Sequence, residues 1–227
     1  MRLVTLEDKL AEESKRIVRN ARSLHKRMHL DYPVYLSRNG LTKEIDIVNS
    51  PLEAIEDYID RNKSKGRFYM IGIKDLNPRR IIVHSFMDFI YSIIFYRAVA
   101  SLGDVKIKKT IYRKLGMNIG KNVHIYQGAK FDTIFAKLIE IGDNSTIGGE
   151  VQMYNHSTVA SKDYFGWGIV KIGKNCTIGN HSLIAGINMG DGSSLKPSTV
   201  TAGYLFNIPK NAVYGGNPAK LLKIFRR

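Results

Sequence analysis

The sequence predicts a mainly β protein: a parallel β-helix that follows a mainly helical N-terminal region and is closed by a short C-terminal helix. Two patterns predict the β-helix. An aliphatic residue returns every six positions between Ile119 and Thr201, and the fifth residue of each six-residue unit is small. A period of six fits neither an α-helix nor an isolated strand, whereas three units of strand and corner complete one coil of a β-helix.

Three positions of the repeat unit have a predicted role. The first is a large residue that we expect to face inward: Ile119, Ile125, Ile141, Ile147, Met153, Ile172, Ile178, Met189 and Leu195. The fifth is small and lets the wall turn: Val123, Ala129, Ser145, Val151, Ser157, Cys176, Ser182, Ser193 and Thr199. The second is usually glycine, which we expect to relax backbone limits near the corner: Gly120, Gly142, Gly148, Gly173, Gly179 and Gly190.

We expect two domains. Residues 1–110 are predicted to form the mainly helical region, which serves oligomerisation or docking to a membrane surface, and residues 111–227 the β-helix with its C-terminal helix. Apolar residues at helical spacing predict an amphipathic helix from about Thr5 to His29. A second helix is predicted from Pro51 to about Arg61. Short apolar runs predict strands near residues 44–48 and 67–73.

Residues 78–103 are predicted to form a helix that is apolar nearly all round. It is interrupted by His84, Asp88 and Arg97, so it falls short of the roughly 20 apolar residues of a membrane span. Two interpretations remain open. Either the helix is buried between subunits, or it lies in a membrane surface while the basic segment 106–114 contacts anionic lipid.

The charge of the chain favours an acidic partner. Lys and Arg total 35 against 20 acidic residues, which gives a formal net charge of +15. Nucleic acid, a membrane surface and a phosphorylated small molecule would each suit this charge. We expect no nucleic acid partner, because no helix-turn-helix, RNA-recognition or zinc-finger pattern is present.

The single cysteine and the N-terminal residues give information about the cellular compartment of the protein. Cys176 excludes an intrachain disulfide, and its place in the repeat predicts a wall residue and not a nucleophile. The N-terminal residues contain no apolar h-region of a secretory signal, so we expect a cytoplasmic protein, peripheral at most at the inner membrane face.

The repeat fails in two places that point to function. The step from Met153 to Ile172 is nineteen residues, and a long interruption is where a solenoid usually places a loop for a ligand or a neighbouring subunit. The step from Ile184 to Met189 is five residues.

Two histidines fall at the fourth, polar position of the repeat, which we expect to face outward: His156 and His181. His156 stands at the foot of the long excursion, so we predict it as a catalytic base and His181 as a surface residue. A zinc site of three histidines needs a close pair, and no second histidine lies within twenty residues of His156, so we expect no metal.

Four segments carry a resemblance to a known family: LIEIGDNSTIGG (138–149), MYNHS (153–157), the run from Val170 to Gly203, and VYGGNPAKLLK (213–223). They resemble the hexapeptide-repeat acyltransferases, most closely the O-acetyltransferases of sugars, polysaccharides and antibiotics. The resemblance covers about residues 110–227 and implies a left-handed β-helix, a homotrimer and acetyl-CoA sites between neighbours. It also implies that His156 takes the proton of an acceptor hydroxyl as the hydroxyl attacks the thioester.

The resemblance also implies site residues. Ala185 and Gly186 would meet the thioester and the pantetheine arm of the donor. Trp167 would stack on the adenine or wall the acceptor pocket, or else only plug the excursion. Ala202 stands where relatives have a lysine for the CoA phosphates, so anchoring falls to Lys196 or Lys220. Thr201 is assigned to the donor as well, and Asp132 and Asn155 to the acceptor.

The sequence therefore predicts an acetyl-CoA-dependent O-acetyltransferase that acts on a saccharide, for example in polysaccharide biosynthesis at the cell surface. Two alternatives remain. The first is N-acetylation of an amino sugar, because the same base serves an amine. The second is a non-catalytic β-helix scaffold that docks a membrane or a partner through its basic N-terminal half.

Overall fold

The computed structural model describes residues 3–39, 45–72, 80–81, 90, 94, 97–158, 164–201 and 206–225. The chain is mixed α/β and divides into two compact units. The first unit comprises Met1–Phe86 and His156–Gly168, and the second comprises Met87–Asn155 and Ile169–Arg227. The predicted boundary at residue 110 lies inside the second unit, and the excursion after Asn155 belongs to the first unit.

In chain order, the fully described elements are α1 Leu6–Arg27, β1 Tyr35–Arg38, β2 Ile45–Asp46, α2 Leu52–Asn62, β3 Phe68–Gly72, α3 Lys106–Lys114, β4 Asn118–Ile119, β5 His124–Ile125, β6 Lys130–Phe131, a 3₁₀ helix Ala136–Leu138, β7 Ile139–Ile141, β8 Thr146–Ile147, β9 Gln152–Tyr154, β10 His156–Thr158, β11 Tyr164–Gly168, β12 Val170–Ile172, β13 Thr177–Ile178, β14 Leu183–Ala185, β15 Ile187–Met189, β16 Ser194–Leu195, β17 Val200–Thr201, β18 Phe206–Ile208, β19 Ala212–Gly215 and β20 Lys220–Ile224.

The first unit combines helices with an antiparallel sheet, so the prediction of a mainly helical region is only half right. Helix α1 begins with a capping box between Thr5 and Asp8, and its apolar face is buried as predicted. The sheet has the order β10-β11-β3-β1-β2. The two predicted strands are present as β2 and β3, but β10 and β11 come from the excursion, far along the chain.

The second unit contains the repeats. Strands β4, β7, β12, β15 and β18 form one parallel sheet, β5, β8, β13, β16 and β19 a second, and β6, β9, β14 and β17 a third. The chain visits the three sheets in turn, so each round of three strands lies on the round before it. Every first-position residue from Ile119 to Leu195 is at most 6% exposed, which confirms the predicted inward face.

The small fifth-position residues link successive rounds through their side chains. The Ser145 hydroxyl donates to the carbonyl of Gly173 at 2.9 Å and accepts the N–H of Cys176 at 3.0 Å. Ser193 makes the equivalent pair of bonds with Pro209 and Ala212. A hydroxyl that both donates and accepts satisfies two buried backbone groups at each corner. Cys176 is 1% exposed, as expected of a wall residue.

The second-position glycines have a different cause from the predicted one. None of the six has a positive φ. A Cβ on Gly142 would lie 2.6 Å from the carbonyl group of Gly173, and a Cβ on Gly179 would lie 2.3 Å from the nitrogen of Pro197. Glycine is therefore required because the backbone of the next round passes too closely for a side chain.

The left-handed backbone conformation belongs to the fourth position. There φ lies between 51° and 59° at Asn122, Asn144, Glu150, Asn175, His181, Ser198 and Asn211. Asparagine and histidine tolerate this region better than most residues. His181 is exposed at such a corner, whereas His156 lies in strand β10. The expectation that His156 occupies the same corner position is therefore wrong, because the chain leaves the repeat after Asn155.

The end of the chain is also not as predicted. In place of a C-terminal helix, strand β20 pairs antiparallel with β19 and adds a sixth strand to the second sheet. Most of the predicted helix 78–103, including His84 and Asp88, lies outside the described residues, although residues 80, 81, 90, 94, 97 and 98 are helical. No helix in the described part of the chain has both the length and the apolar character of a membrane span.

Candidate functional site

His156, the predicted base, begins the hairpin formed by β10 and β11. It is half-buried and pairs directly with Trp167 across the two strands. Its ring also contacts that of Phe165, with centroids 6.0 Å apart. The imidazole is thus held against aromatic side chains of its own hairpin, and it remains accessible enough to meet a reactant.

Trp167 is part of the core of the first unit. Its side chain is 0% exposed and stacks between Tyr69 and Phe165, with centroids at 6.2 Å and 5.7 Å. Its indole N–H donates to the hydroxyl of Ser14 at 3.0 Å. Because the ring is buried in this core, the structure favours the alternative of a hydrophobic plug over the predicted stacking on adenine.

Asp132 and Asn155, the predicted acceptor residues, lie together around Phe135. The Asp132 carboxylate accepts backbone N–H groups from Ile134 at 3.1 Å and from Asn155 at 3.3 Å. The Asn155 amide donates to the carbonyl of Phe135 at 2.9 Å. Both side chains are at most 3% exposed. Asp132 therefore stabilises a turn, which argues against direct contact with an acceptor.

The side-chain oxygen of Asn155 differs from its amide nitrogen. Among the residues that the structure describes, no donor contacts Asn155 Oδ1, although the atom is buried. Buried polar atoms without a partner are rare in native proteins. This oxygen is therefore the one polar atom of the two side chains for which the described residues supply no donor.

The N–H groups of Ala185 and Gly186, the residues expected at the thioester, already have acceptors inside the chain. The N–H of Ala185 donates to the hydroxyl of Thr201 at 3.2 Å, and the N–H of Gly186 donates to the carbonyl of Tyr154 at 3.2 Å. Gly186 has a φ of +46° and forms the shortened corner between β14 and β15. Thr201 is 1% exposed. This corner is therefore internally bonded and does not present two free N–H groups to a thioester.

Lys196 and Lys220 come together at Gly215. Lys220 pairs with Gly215 across β19 and β20, and a Cβ on Gly215 would lie 3.2 Å from the Cβ of Lys196. Both lysines are exposed. Two exposed lysines that start beside one glycine suit a phosphate-bearing ligand. Ala202, which replaces the lysine expected from the resemblance, lies outside the described residues.

One polar cluster is not predicted from the sequence. Asp104 lies 2.6 Å from His124 Nδ1, accepts from Lys109 Nζ at 2.9 Å and accepts the N–H of Ile125 at 3.1 Å. Burial raises the pKa of Asp104, but these hydrogen bonds outweigh burial and lower the pKa to about 2. Asp104 and His124 are twenty residues apart, so no local pattern links them. Over the described residues, no group of three acidic, histidine or cysteine side chains is placed to hold a metal.

No protein-family model and no curated protein matches this sequence. Solved structures do match. A maltose O-acetyltransferase from Clostridium difficile 630 is 23% identical with a TM-score of 0.47, over 62% of this chain and 86% of that chain. A hexapeptide-repeat acetyltransferase from Vibrio cholerae is 18% identical with a TM-score of 0.48, over 63% and 96%. A galactoside acetyltransferase in complex with coenzyme A is 16% identical with a TM-score of 0.47, over 62% and 82%.

These structures belong to maltose and galactoside acetyltransferases and to hexapeptide-repeat acetyltransferases, the group that the sequence resembles. Identities below 25% and TM-scores below 0.5 do not by themselves establish an activity. The case for a function therefore rests on the residues.

Proposed function

We propose that the protein is an acetyl-CoA-dependent O-acetyltransferase that acetylates a hydroxyl of a saccharide, and that its second unit is a left-handed parallel β-helix. The observation that carries the proposal is the interruption of the three-sheet repeat after Asn155, with a half-buried histidine as the first residue of the departing hairpin. A long excursion from a regular solenoid, with an ionisable group at its foot, is the arrangement expected of a site.

In the proposed reaction, the imidazole of His156 removes the proton of the acceptor hydroxyl. The hydroxyl oxygen then forms a bond to the thioester carbonyl carbon, the C–S bond breaks, and the CoA thiolate leaves with that proton. A neutral imidazole suits proton removal near neutral pH. Asn155 Oδ1 is proposed to orient the acceptor by accepting one of its hydrogens.

The donor is proposed to be held by its phosphates. Lys196 and Lys220 are exposed beside one another at Gly215 and supply two positive charges for the CoA phosphates. Ala185 and Gly186 are proposed to shape the pantetheine channel only, since both N–H groups have acceptors within the chain. A homotrimer with donor sites between neighbours, a cytoplasmic location and peripheral contact with the inner membrane complete the proposal.

Two measurements test the base. Release of free CoA thiol from acetyl-CoA is followed with a panel of sugars, amino sugars and oligosaccharides, and the products are identified by mass spectrometry. We expect His156→Ala to lower kcat by about 100-fold or more, because a positioned general base contributes at least that much. His181→Asn, at an exposed corner of the repeat where other units have asparagine, is the matched control and should leave kcat unchanged. Equal turnover of wild type and His156→Ala would refute the assignment of the base.

The scaffold alternative is favoured by a specific observation, the internal bonding of the Ala185 and Gly186 N–H groups. A scaffold would release no CoA thiol with any acceptor and would not bind acetyl-CoA. The N-acetyltransferase alternative is decided by the panel, because an amide product from an amino sugar would replace the ester.

A further inference from the structure

His156 stands at the end of a row of large side chains that crosses the sheet of the first unit. His156 pairs with Trp167, Trp167 pairs with Tyr69, and Tyr69 pairs with Arg38. Directly paired residues of antiparallel strands project from the same face of the sheet. The rings of Trp167 and Tyr69 lie nearly parallel, at an angle of 17°. The strand that carries His156 is therefore in register with residues contributed by the N-terminal segment.

A second residue of β11 supports the imidazole from the same face. Phe165 precedes Trp167 by two positions and lies 5.7 Å from it, at an angle of 21°. Phe165 also lies 6.0 Å from the ring of His156. His156, Phe165 and Trp167 thus form one contiguous aromatic cluster, in which a displacement of the indole would be passed on to the imidazole.

Contacts on the opposite face of β11 explain why Phe165 and Trp167 stay on the face that carries His156. A Cβ on Gly166 would lie 2.3 Å from the ring of Phe68, and a Cβ on Gly168 would lie 2.9 Å from it. The alternation Phe-Gly-Trp-Gly therefore places both aromatic rings on one face and leaves space for Phe68 on the other. A slip of one residue would exchange the two faces, which the ring of Phe68 prevents.

Helix α1 anchors the row. The indole N–H of Trp167 donates to the hydroxyl of Ser14, and that hydroxyl donates to the carbonyl of Leu10 at 2.7 Å. Ser14 and Trp167 are both 0% exposed. The buried Ser14 hydroxyl accepts one hydrogen bond and donates another, so its own orientation is fixed. It therefore holds the indole of Trp167 in one position and one rotamer.

We infer that Ser14 and Trp167 are positioning residues for His156, and that the N-terminal unit of this protein serves to hold the catalytic imidazole in place. This inference rests on the proposed role of His156 as the base. It assigns a function to the N-terminal segment, in which helix α1 and strand β3 hold the hairpin that bears the base. Neither Ser14 nor Trp167 meets the reactants.

Three variants and one control test the inference. Ser14→Ala removes the acceptor of the indole N–H, Trp167→Phe removes the donor, and Ser14→Thr keeps a hydroxyl. Ser23→Ala, on an exposed part of the same helix, is the control. Each protein carries isotope-labelled histidine, and the His156 resonance is identified by its loss in His156→Ala. The resonance and its titration midpoint are read by NMR, and kcat and the KM for acetyl-CoA are measured alongside.

We expect Ser14→Ala and Trp167→Phe to shift the resonance and the titration midpoint of His156. We also expect kcat to fall about tenfold, because a small misplacement of a catalytic group lowers the rate of the chemical step. The KM for acetyl-CoA should change by less than roughly twofold. Ser14→Thr should restore wild-type values, and Ser23→Ala should match them throughout.

Folded Ser14→Ala protein with an unchanged His156 titration and an unchanged kcat would overturn the inference. Should Trp167→Phe fail to fold, the Ser14 variants decide alone. The NMR readout does not depend on turnover. A wild-type protein without transferase activity would refute the proposed function, and the titration of His156 would still show whether Ser14 and Trp167 control its environment.

Discussion

At the scale of single residues, the glycines at the second position of the repeat are required because backbone passes close to them, and not because they need an unusual φ angle. The second-position glycines have ordinary φ angles, and each faces the backbone or a short polar side chain of the next round. Gly142 illustrates this, because the carbonyl group of Gly173 lies where its Cβ would be. Neighbouring rounds cannot separate locally, since they share parallel hydrogen bonds on every side.

Replacement of one of these glycines should therefore destabilise the second unit. We expect Gly142→Ala to lower the free energy of unfolding by about 1–3 kcal/mol, the usual range for overpacking in a rigid interior. Gly103→Ala is the matched control, because a Cβ there would meet nothing within 4 Å. Chemical denaturation followed by circular dichroism measures both. Equal stability of the two variants would contradict the close-approach explanation.

At the scale of elements, buried polar contacts tie helix α3 to the repeats. The Lys108 ammonium donates to the carbonyls of Leu102 at 2.9 Å and Tyr126 at 2.7 Å, and burial lowers the pKa of this lysine to about 8. Asp104, just before the helix, holds Lys109 and the N–H of Ile125. The basic segment 106–114, for which the sequence leaves a lipid contact open, thus uses two of its lysines inside the protein.

This junction should be sensitive to acid. The folded-state pKa of Asp104, about 2, lies below its ordinary value of 3.8, so unfolding takes up a proton between these values. Its contribution to stability is therefore present above pH 4 and is lost as the pH falls towards 2. Asp104→Asn should be less stable than wild type at pH 6, by about 1–3 kcal/mol for the hydrogen bonds lost, and the difference should shrink at pH 3.

Thermal unfolding at a series of pH values measures that difference. Glu53→Gln, at an exposed position of helix α2 in the first unit, is the control and should follow the wild-type profile. A constant difference between Asp104→Asn and wild type from pH 6 to pH 3 would contradict the assigned role of the carboxylate.

At the scale of the whole molecule, the parts that repeat can be predicted from the sequence and the parts that depend on distant partners cannot. The burial of the first-position residues from Ile119 to Leu195 can be predicted because the same six-residue pattern recurs in every unit. The surroundings of Trp167 depend on Ser14, 153 residues away, and on Tyr69 in another strand. The sequence predicts the excursion as a loop for the same reason, since its pairing partner β3 lies in the N-terminal segment, far from it along the chain.

Binding of the donor is the property of the whole molecule that most directly separates an enzyme from a scaffold. A ligand that binds only the folded state stabilises it, by about 2.7 kcal/mol at a hundred times its Kd. We therefore expect acetyl-CoA to raise the Tm of the wild-type protein. The rise should be smaller in the double variant Lys196→Ala/Lys220→Ala, which lacks both exposed lysines beside Gly215, and as large as in the wild type in the exposed control Lys106→Ala. Because phosphate contacts are screened by ions, the rise should also diminish between low and high concentrations of KCl. Differential scanning fluorimetry gives all of these values, and a wild-type Tm that ignores acetyl-CoA would favour the scaffold.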